Sequence, residues 1–133
     1  MKRSLVAALL SVALSGATVG AVGAAPAPSY SAALTADSSC TLTLKATWKN
    51  TTVDTVYGIW YQDEVYRFTT QAPFSGPNGG TLRGRTATMQ AGPVAIDTTS
   101  HAWRVQVDFY WNGANVGQLN PTVAAPCWIE PTP

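Results

Sequence analysis

The chain has 133 residues, of which 46% are hydrophobic and only 11% are charged, with a formal net charge of +1. Such sparse and mixed charge gives no electrostatic footprint for nucleic acid or for an anionic membrane. A chain of this length is expected to form one domain. Its candidate metal-binding or nucleophilic side chains are two cysteines and a single histidine.

The first 24 residues have the features of a secretory signal peptide. Lys2 and Arg3 form a basic start, residues 5–14 are almost entirely apolar, and small residues follow up to a cleavage zone after Gly23 or Ala24. An uncleaved membrane anchor is the alternative, but the serines and glycines of this run make it poorly hydrophobic for a permanent span. We expect a secreted, extracellular protein of bacterial type, with no stable membrane anchor after cleavage.

Residues 25–37 are rich in alanine, proline and serine and show no periodicity, which predicts a disordered N-terminus of the mature protein. Residues 38–133 are predicted to form a single β domain. Cys40 and Cys127 bracket nearly all of it, and an oxidising compartment predicts that they form a disulfide. In the chain-entropy model, closing so long a loop stabilises the fold by about 4 to 5 kcal/mol.

The domain opens with a half-buried strand whose apolar residues alternate with polar ones, and the side chains predicted to face the core are Leu42, Leu44, Ala46 and Trp48. Asn50 ends this strand and begins an N-glycosylation sequon, which matters only in a eukaryotic host.

Residues 57–70 are predicted to form a hairpin with its turn at Asp63-Glu64. A two- or four-residue loop pairs opposite residues as Tyr61 with Tyr66, Trp60 with Arg67, and Ile59 with Phe68. One face of this hairpin is then apolar, with Tyr57, Ile59, Tyr61, Tyr66 and Phe68. The other face is mixed and carries Trp60 beside Arg67 and Gln62.

The next segment is less regular. The composition of residues 71–80 predicts a loop. Residues 81–89 follow as a weaker strand whose apolar side chains change face, which predicts a β-bulge near Gly84.

Residues 101–111 form the clearest strand, with its core side predicted to hold Trp103, Val105, Val107, Phe109 and Trp111. Asn112-Gly113 follows and predicts a type I′ hairpin turn that opposes Trp111 to Ala114 and Phe109 to Val116. A last strand over residues 123–128 returns Cys127 toward the first strand, with Trp128 packed on the disulfide.

Several short strands, turn signals every 8 to 15 residues and no helical periodicity predict an all-β fold. An antiparallel β-sandwich is the favoured architecture and a small β-barrel is the alternative. The chain is similar to immunoglobulin-like and fibronectin-type domains in size and strand rhythm alone. It departs from true immunoglobulin domains because no Tyr-x-Cys precedes the second cysteine, Cys127.

Nothing in the sequence predicts catalysis, a metal site or a cofactor. His101 is the sole histidine, and although Asp97 and Ser100 are near it, no Gly-x-Ser-x-Gly nucleophile motif occurs. We expect His101 to satisfy local hydrogen bonds at a turn. The seven carboxylates are explained by turn and solvated positions, so an enzyme is not expected.

The predicted hairpin places Trp60 on the mixed face, where an exposed indole beside a guanidinium would form a flat binding platform. The candidate ligand-binding residues are Trp60, Gln62, Arg67, Arg104 and Tyr110. They predict a secreted, non-catalytic binding module whose partner is a carbohydrate or an extracellular protein. Burial of Trp60 in the core is the competing interpretation.

Two alternatives belong to other classes. A secreted hydrolase inhibitor would present a loop to its target, and residues 71–80 form the longest candidate, although their three glycines argue for flexibility. A structural or self-assembling extracellular component would need an exposed strand edge.

Overall fold

The computed structural model describes residues 26–130. The predicted signal peptide lies outside the described residues. The described residues form nine strands: β1 (Ser29–Ala36), β2 (Leu42–Lys49), β3 (Thr55–Gln62), β4 (Val65–Ala72), β5 (Gly80–Arg83), β6 (Thr86–Ala91), β7 (Ala95–Trp111), β8 (Ala114–Leu119) and β9 (Thr122–Trp128). Within residues 26–130, no helix is long and apolar enough to cross a membrane.

The strands form two antiparallel sheets that pack face to face. One sheet has the order β1-β2-β6-β5, and the other has the order β9-β7-β3-β4, with β8 also paired to β7. Strand β7 is long enough to pair with β9 along its first half and with β8 along its second half. The predicted all-β sandwich is therefore confirmed.

The core lies between the sheets and follows the alternation of the strands. The inward residues of β2 are buried as predicted, and they meet the inward residues of β7, which include Trp103, Val105, Val107 and Phe109. Trp111 does not join them: it is 46% exposed, because it is the last residue of the strand, beside the Asn112-Gly113 turn.

The disulfide predicted between Cys40 and Cys127 is present. Cys40 lies between β1 and β2 of the four-stranded sheet, whereas Cys127 lies in β9 of the other sheet. Both sulfurs are buried in a small cluster with Ala125. The bond therefore joins the two layers as well as the two ends of the domain.

The predicted disorder of residues 25–37 is wrong for residues 29–36. These residues form β1, and all eight of them pair with β2. Leu34 is buried, and the Tyr30 ring lies 4.8 Å from the Phe109 ring across the sandwich. Alanine and serine are weak strand formers, so β1 is held by pairing and by these contacts and not by local propensity.

The hairpin of β3 and β4 has the predicted turn at Asp63-Glu64 and the predicted pair Tyr61–Tyr66. Beyond that pair the register shifts by one residue, so that Phe68 lies opposite Trp60, and Arg67 is the extra residue of a β-bulge. Phe68 therefore turns toward the core and stacks on Trp60, with 5.3 Å between the ring centroids.

The predicted orientation of β3 is wrong. Its buried residues are Val56, Gly58, Trp60 and Gln62, and the tyrosines lie on the outer face. Trp60 is 0% exposed, and its Nε1 donates a hydrogen bond to Thr70 Oγ1 at 2.9 Å. Gly58 makes room for this pair, because a Cβ there would lie 2.8 Å from Thr70 Oγ1 and 3.2 Å from Trp60 Nε1.

Two register predictions also need correction. The change of face near Gly84 comes from a hairpin turn between β5 and β6, where Arg83 pairs with Thr86, and not from a bulge. After the confirmed Asn112-Gly113 turn and the confirmed Trp111–Ala114 pair, Phe109 lies opposite Gly117 instead of Val116, since the register shifts once more. The predicted loop is confirmed for residues 73–79, between β4 and β5.

We expect Thr70→Val to lower the free energy of unfolding by about 1 to 3 kcal/mol, because the buried Trp60 N–H loses its acceptor. Urea denaturation measures the change. Thr70→Ser is the matched control, since it keeps the hydroxyl and should cost less than the valine variant. Equal stabilities for the valine variant and the wild type would show that this hydrogen bond does not stabilise the core.

Candidate functional site

The structure does not bring the five predicted ligand-binding residues together. Trp60 is in the core, so its predicted role as an exposed platform is wrong. Gln62 is 5% exposed, and its side chain bonds both the N–H and the carbonyl of Ile129. Arg67 donates from Nη2 to the Glu130 carbonyl at 2.9 Å. Gln62 and Arg67 therefore hold the segment that follows β9.

Arg104 and Tyr110, the other two predicted residues, lie on the outer face of the five-stranded sheet. Four of the five tyrosines of the chain are on this surface, which we call the tyrosine face: it comprises Tyr57, Tyr61, Tyr66, Tyr110, Arg104, Gln106, Asp108 and Gln118. The alternating tyrosines of β3 are the sequence signal for this surface, although the hairpin pattern predicts that they face the core.

One half of the tyrosine face centres on Asp108. Its carboxylate accepts hydrogen bonds from the side-chain amides of Gln106, at 3.2 and 3.3 Å, and Gln118, at 2.9 Å. Tyr57 lies opposite Asp108 in the sheet, and the Tyr57 and Tyr110 rings meet edge to face at 5.3 Å. Asp108 is 8% exposed, and its hydrogen-bond donors are neutral amides.

The other half centres on Arg104. Its guanidinium lies 4.1 Å from the centroid of the Tyr61 ring and makes a bidentate pair with Glu64, at 3.0 and 2.9 Å. Arg104 Nη1 also donates to Asn120 at 2.7 Å. The hydrogen bond to Arg104 lowers the pKa of Glu64. Tyr66, 54% exposed, lies across the hairpin from Tyr61.

A charged cluster stands beside this half of the face. His101 Nδ1 lies 2.6 Å from Asp63 Oδ2, and His101 Nε2 lies 2.5 Å from Asp97 Oδ2. A neutral imidazole has only one N–H, so two carboxylate partners require the doubly protonated imidazolium. The hydrogen bond to Asp63, followed by that to Asp97, raises the pKa of His101. Trp128 stacks on this imidazole at 6.0 Å instead of packing on the disulfide as predicted.

This cluster is poorly suited to general-base catalysis. The Thr99 hydroxyl is 3.5 Å from His101 Nε2, but that nitrogen already faces Asp97. A general base needs a free lone pair toward the proton that it removes. Within residues 26–130, no group of three or more His, Cys, Asp or Glu side chains is arranged to hold a metal ion.

An open groove of about 850 Å³ lies between the loop of residues 73–79 and strand β5. This loop follows the end of β4 that is distant from the Asp63-Glu64 turn. Phe74 is 51% exposed there, and Leu82 forms part of the wall. Three backbone hydrogen bonds cross the loop, including those from Gln71 to Asn78 and from Phe74 to Gly80. The loop is thus more constrained than its glycine content predicts.

The sequence matches no protein-family model, no curated protein and no solved structure at a significant level. Any function has to be inferred from the chemistry of these surfaces.

We expect the stability of the domain to fall as the pH rises through the pKa of His101. A raised pKa means that the stabilisation is fully present below about pH 6.5, the ordinary histidine value, and is lost above the folded-state pKa. The same pairs lower the pKa values of Asp63 and Asp97, so their contribution disappears on acidification below about pH 4.

Urea midpoints between about pH 5 and pH 9 would measure this effect. His101→Asn is the control, and the difference between wild type and variant should shrink as the pH increases. A difference that is constant across this range would contradict the expected titration.

Proposed function

We propose that the protein is a secreted, non-catalytic recognition module that binds a neutral carbohydrate through the tyrosine face. The observation that carries this proposal is the Asp108 carboxylate, held by two glutamine amides in the same half of the face as Tyr57 and Tyr110.

The aromatic part of the surface supports a ligand with apolar faces and polar edges. Tyrosine offers a large, rigid contact area at a small cost in side-chain entropy, and its hydroxyl remains available for hydrogen bonds. The C–H faces of a sugar ring suit such rings. Tyr57 and Tyr110 are both half-buried and their rings pack edge to face, which limits their motion before a ligand arrives.

The polar part supports a ligand rich in hydroxyl groups. An ionised carboxylate accepts hydrogen bonds through two oxygens, and a glutamine amide both donates and accepts. Asp108, Gln106 and Gln118 combine these capacities across two neighbouring strands. Hydrogen bonds to a charged acceptor are among the stronger ones in proteins.

The charge of the surface narrows the ligand class. Glu64 neutralises Arg104, whereas the hydrogen-bond partners of Asp108 are neutral. An acidic polysaccharide would place its carboxylates near Asp108, and like charges repel. Neutral chains, or chains with amino groups, fit this surface better. The buried disulfide is compatible with an extracellular location.

A hydrolase inhibitor is the second candidate, and the exposed Phe74 on its constrained loop favours it. An exposed aromatic residue is a common anchor in an interface. The two candidates use different surfaces, so variants of each surface distinguish them.

We expect the mature protein to bind an insoluble neutral polysaccharide and to lose about tenfold in affinity when Tyr57→Ala or Asp108→Asn removes a contact. Depletion from solution by cellulose and chitin measures binding, and circular dichroism with urea denaturation verifies that each variant folds. Phe74→Ala is the matched control, because it removes an exposed aromatic ring outside the tyrosine face.

Full binding by Tyr57→Ala and Asp108→Asn would rule out the tyrosine face as the binding surface. Capture of a secreted hydrolase that Phe74→Ala abolishes would favour the inhibitor.

A further inference from the structure

The turn between β3 and β4 has a backbone conformation that Glu64, at its second position, does not favour. Asp63 and Glu64 have φ values of 51° and 65°. Such two-residue turns favour Asn-Gly, the pair found in the same sheet at Asn112-Gly113, or Asp-Gly, because glycine at the second position has no Cβ to crowd the left-handed region. Contacts outside the turn must therefore maintain it.

Those contacts come from β7. Asp63 Oδ1 accepts from the Ala102 N–H at 2.9 Å, and Asp63 Oδ2 meets His101 Nδ1 at 2.6 Å. Glu64 is held by the bidentate pair with Arg104. The Asp63 N–H also donates to the Ala102 carbonyl at 2.7 Å. Two of these four anchors are ionic, and one of the ionic anchors depends on a histidine.

The turn also carries two members of the tyrosine face. Tyr61 lies two residues before Asp63, and Tyr66 lies two residues after Glu64. Arg104, which pairs with Glu64, covers the Tyr61 ring. The position of the turn therefore determines how well Tyr61, Tyr66 and Arg104 are held in place.

Only the protonated imidazole can donate to both carboxylates at once. Loss of one proton leaves a lone pair directed at Asp63 or at Asp97, so one contact becomes repulsive. Asp97 is additionally held by the Thr98 N–H and the Thr99 hydroxyl. On the β9 side, His101 contacts the uncharged ring of Trp128. The nearby charged side chains of Glu64 and Arg104 pair with each other.

We propose that His101 is a pH-dependent latch: its protonated form holds the Asp63-Glu64 turn and so orders the Tyr61, Tyr66 and Arg104 half of the tyrosine face. The effect on ligand binding rests on the proposed function, whereas the latch itself does not. Deprotonation frees the turn to relax, and a disordered binding surface costs affinity.

The first measurement needs no ligand. Backbone amide signals of Asp63, Glu64 and Tyr66 in ¹⁵N-labelled protein, followed by NMR from about pH 5 to pH 9, should titrate together with the imidazole of His101. In His101→Asn the same amide signals should lose this titration. Asp97→Asn is a second variant that keeps the histidine, and it should move the shared midpoint to lower pH because one carboxylate no longer stabilises the imidazolium.

The second measurement repeats depletion by cellulose and chitin at both ends of this pH range. Affinity should fall by about fivefold or more in the wild type between the low and the high pH, and His101→Asn should show no such dependence.

Turn amides that do not follow His101 would overturn the latch, whatever the binding result. Turn amides that follow it while wild-type affinity stays constant would overturn the control of binding. If the turn titrates as expected and neither polysaccharide binds at any pH, the latch stands and the carbohydrate proposal fails.

Discussion

The choice of which side of β3 enters the core determines both surfaces of the five-stranded sheet. If Tyr57, Ile59 and Tyr61 faced inward, the two phenol hydroxyls would need buried hydrogen-bond partners, because an unpaired buried hydroxyl is costly. With Trp60 inward, a single indole N–H needs a partner, and Thr70 supplies it. Gly58 leaves the space that this pair occupies. Because successive side chains of a strand point to opposite faces, the tyrosines of β3 then lie on the outer surface and form part of the tyrosine face.

The sequence predicted most of the strands after residue 40, the turns at Asp63-Glu64 and Asn112-Gly113, and the disulfide, since each of these depends on local pattern or on cysteine number. It did not predict the bulge at Arg67, because one unpaired residue has no distinct signature when aromatic side chains stand on either side of it. Both faces of β3 are apolar enough to be buried, so alternation alone could not choose between them. In β1 the small side chains hid the alternation altogether.

The candidate site was predictable only in part, for a related reason. Arg104 and Tyr110 were found because β7 has clear alternation, and their outward direction follows from it. Glu64 and Asp63 contact Arg104 and His101 of β7, which lie about 40 residues later in the chain. Contacts of this kind depend on register across a hairpin and between strands, and a change of one residue redirects every side chain beyond it. Asp63, Glu64 and His101 therefore appeared in the sequence as unrelated turn residues.

Cys40 and Cys127 are separated by 87 positions in the sequence, and nearly every loop of the domain lies between them. A protease that cuts once in any of those loops therefore produces two fragments that remain one covalent molecule. Each fragment keeps its partner at a high effective concentration, which favours renewed strand pairing over separation. A single proteolytic cut in one of these loops is therefore expected to damage the domain locally without separating its two parts.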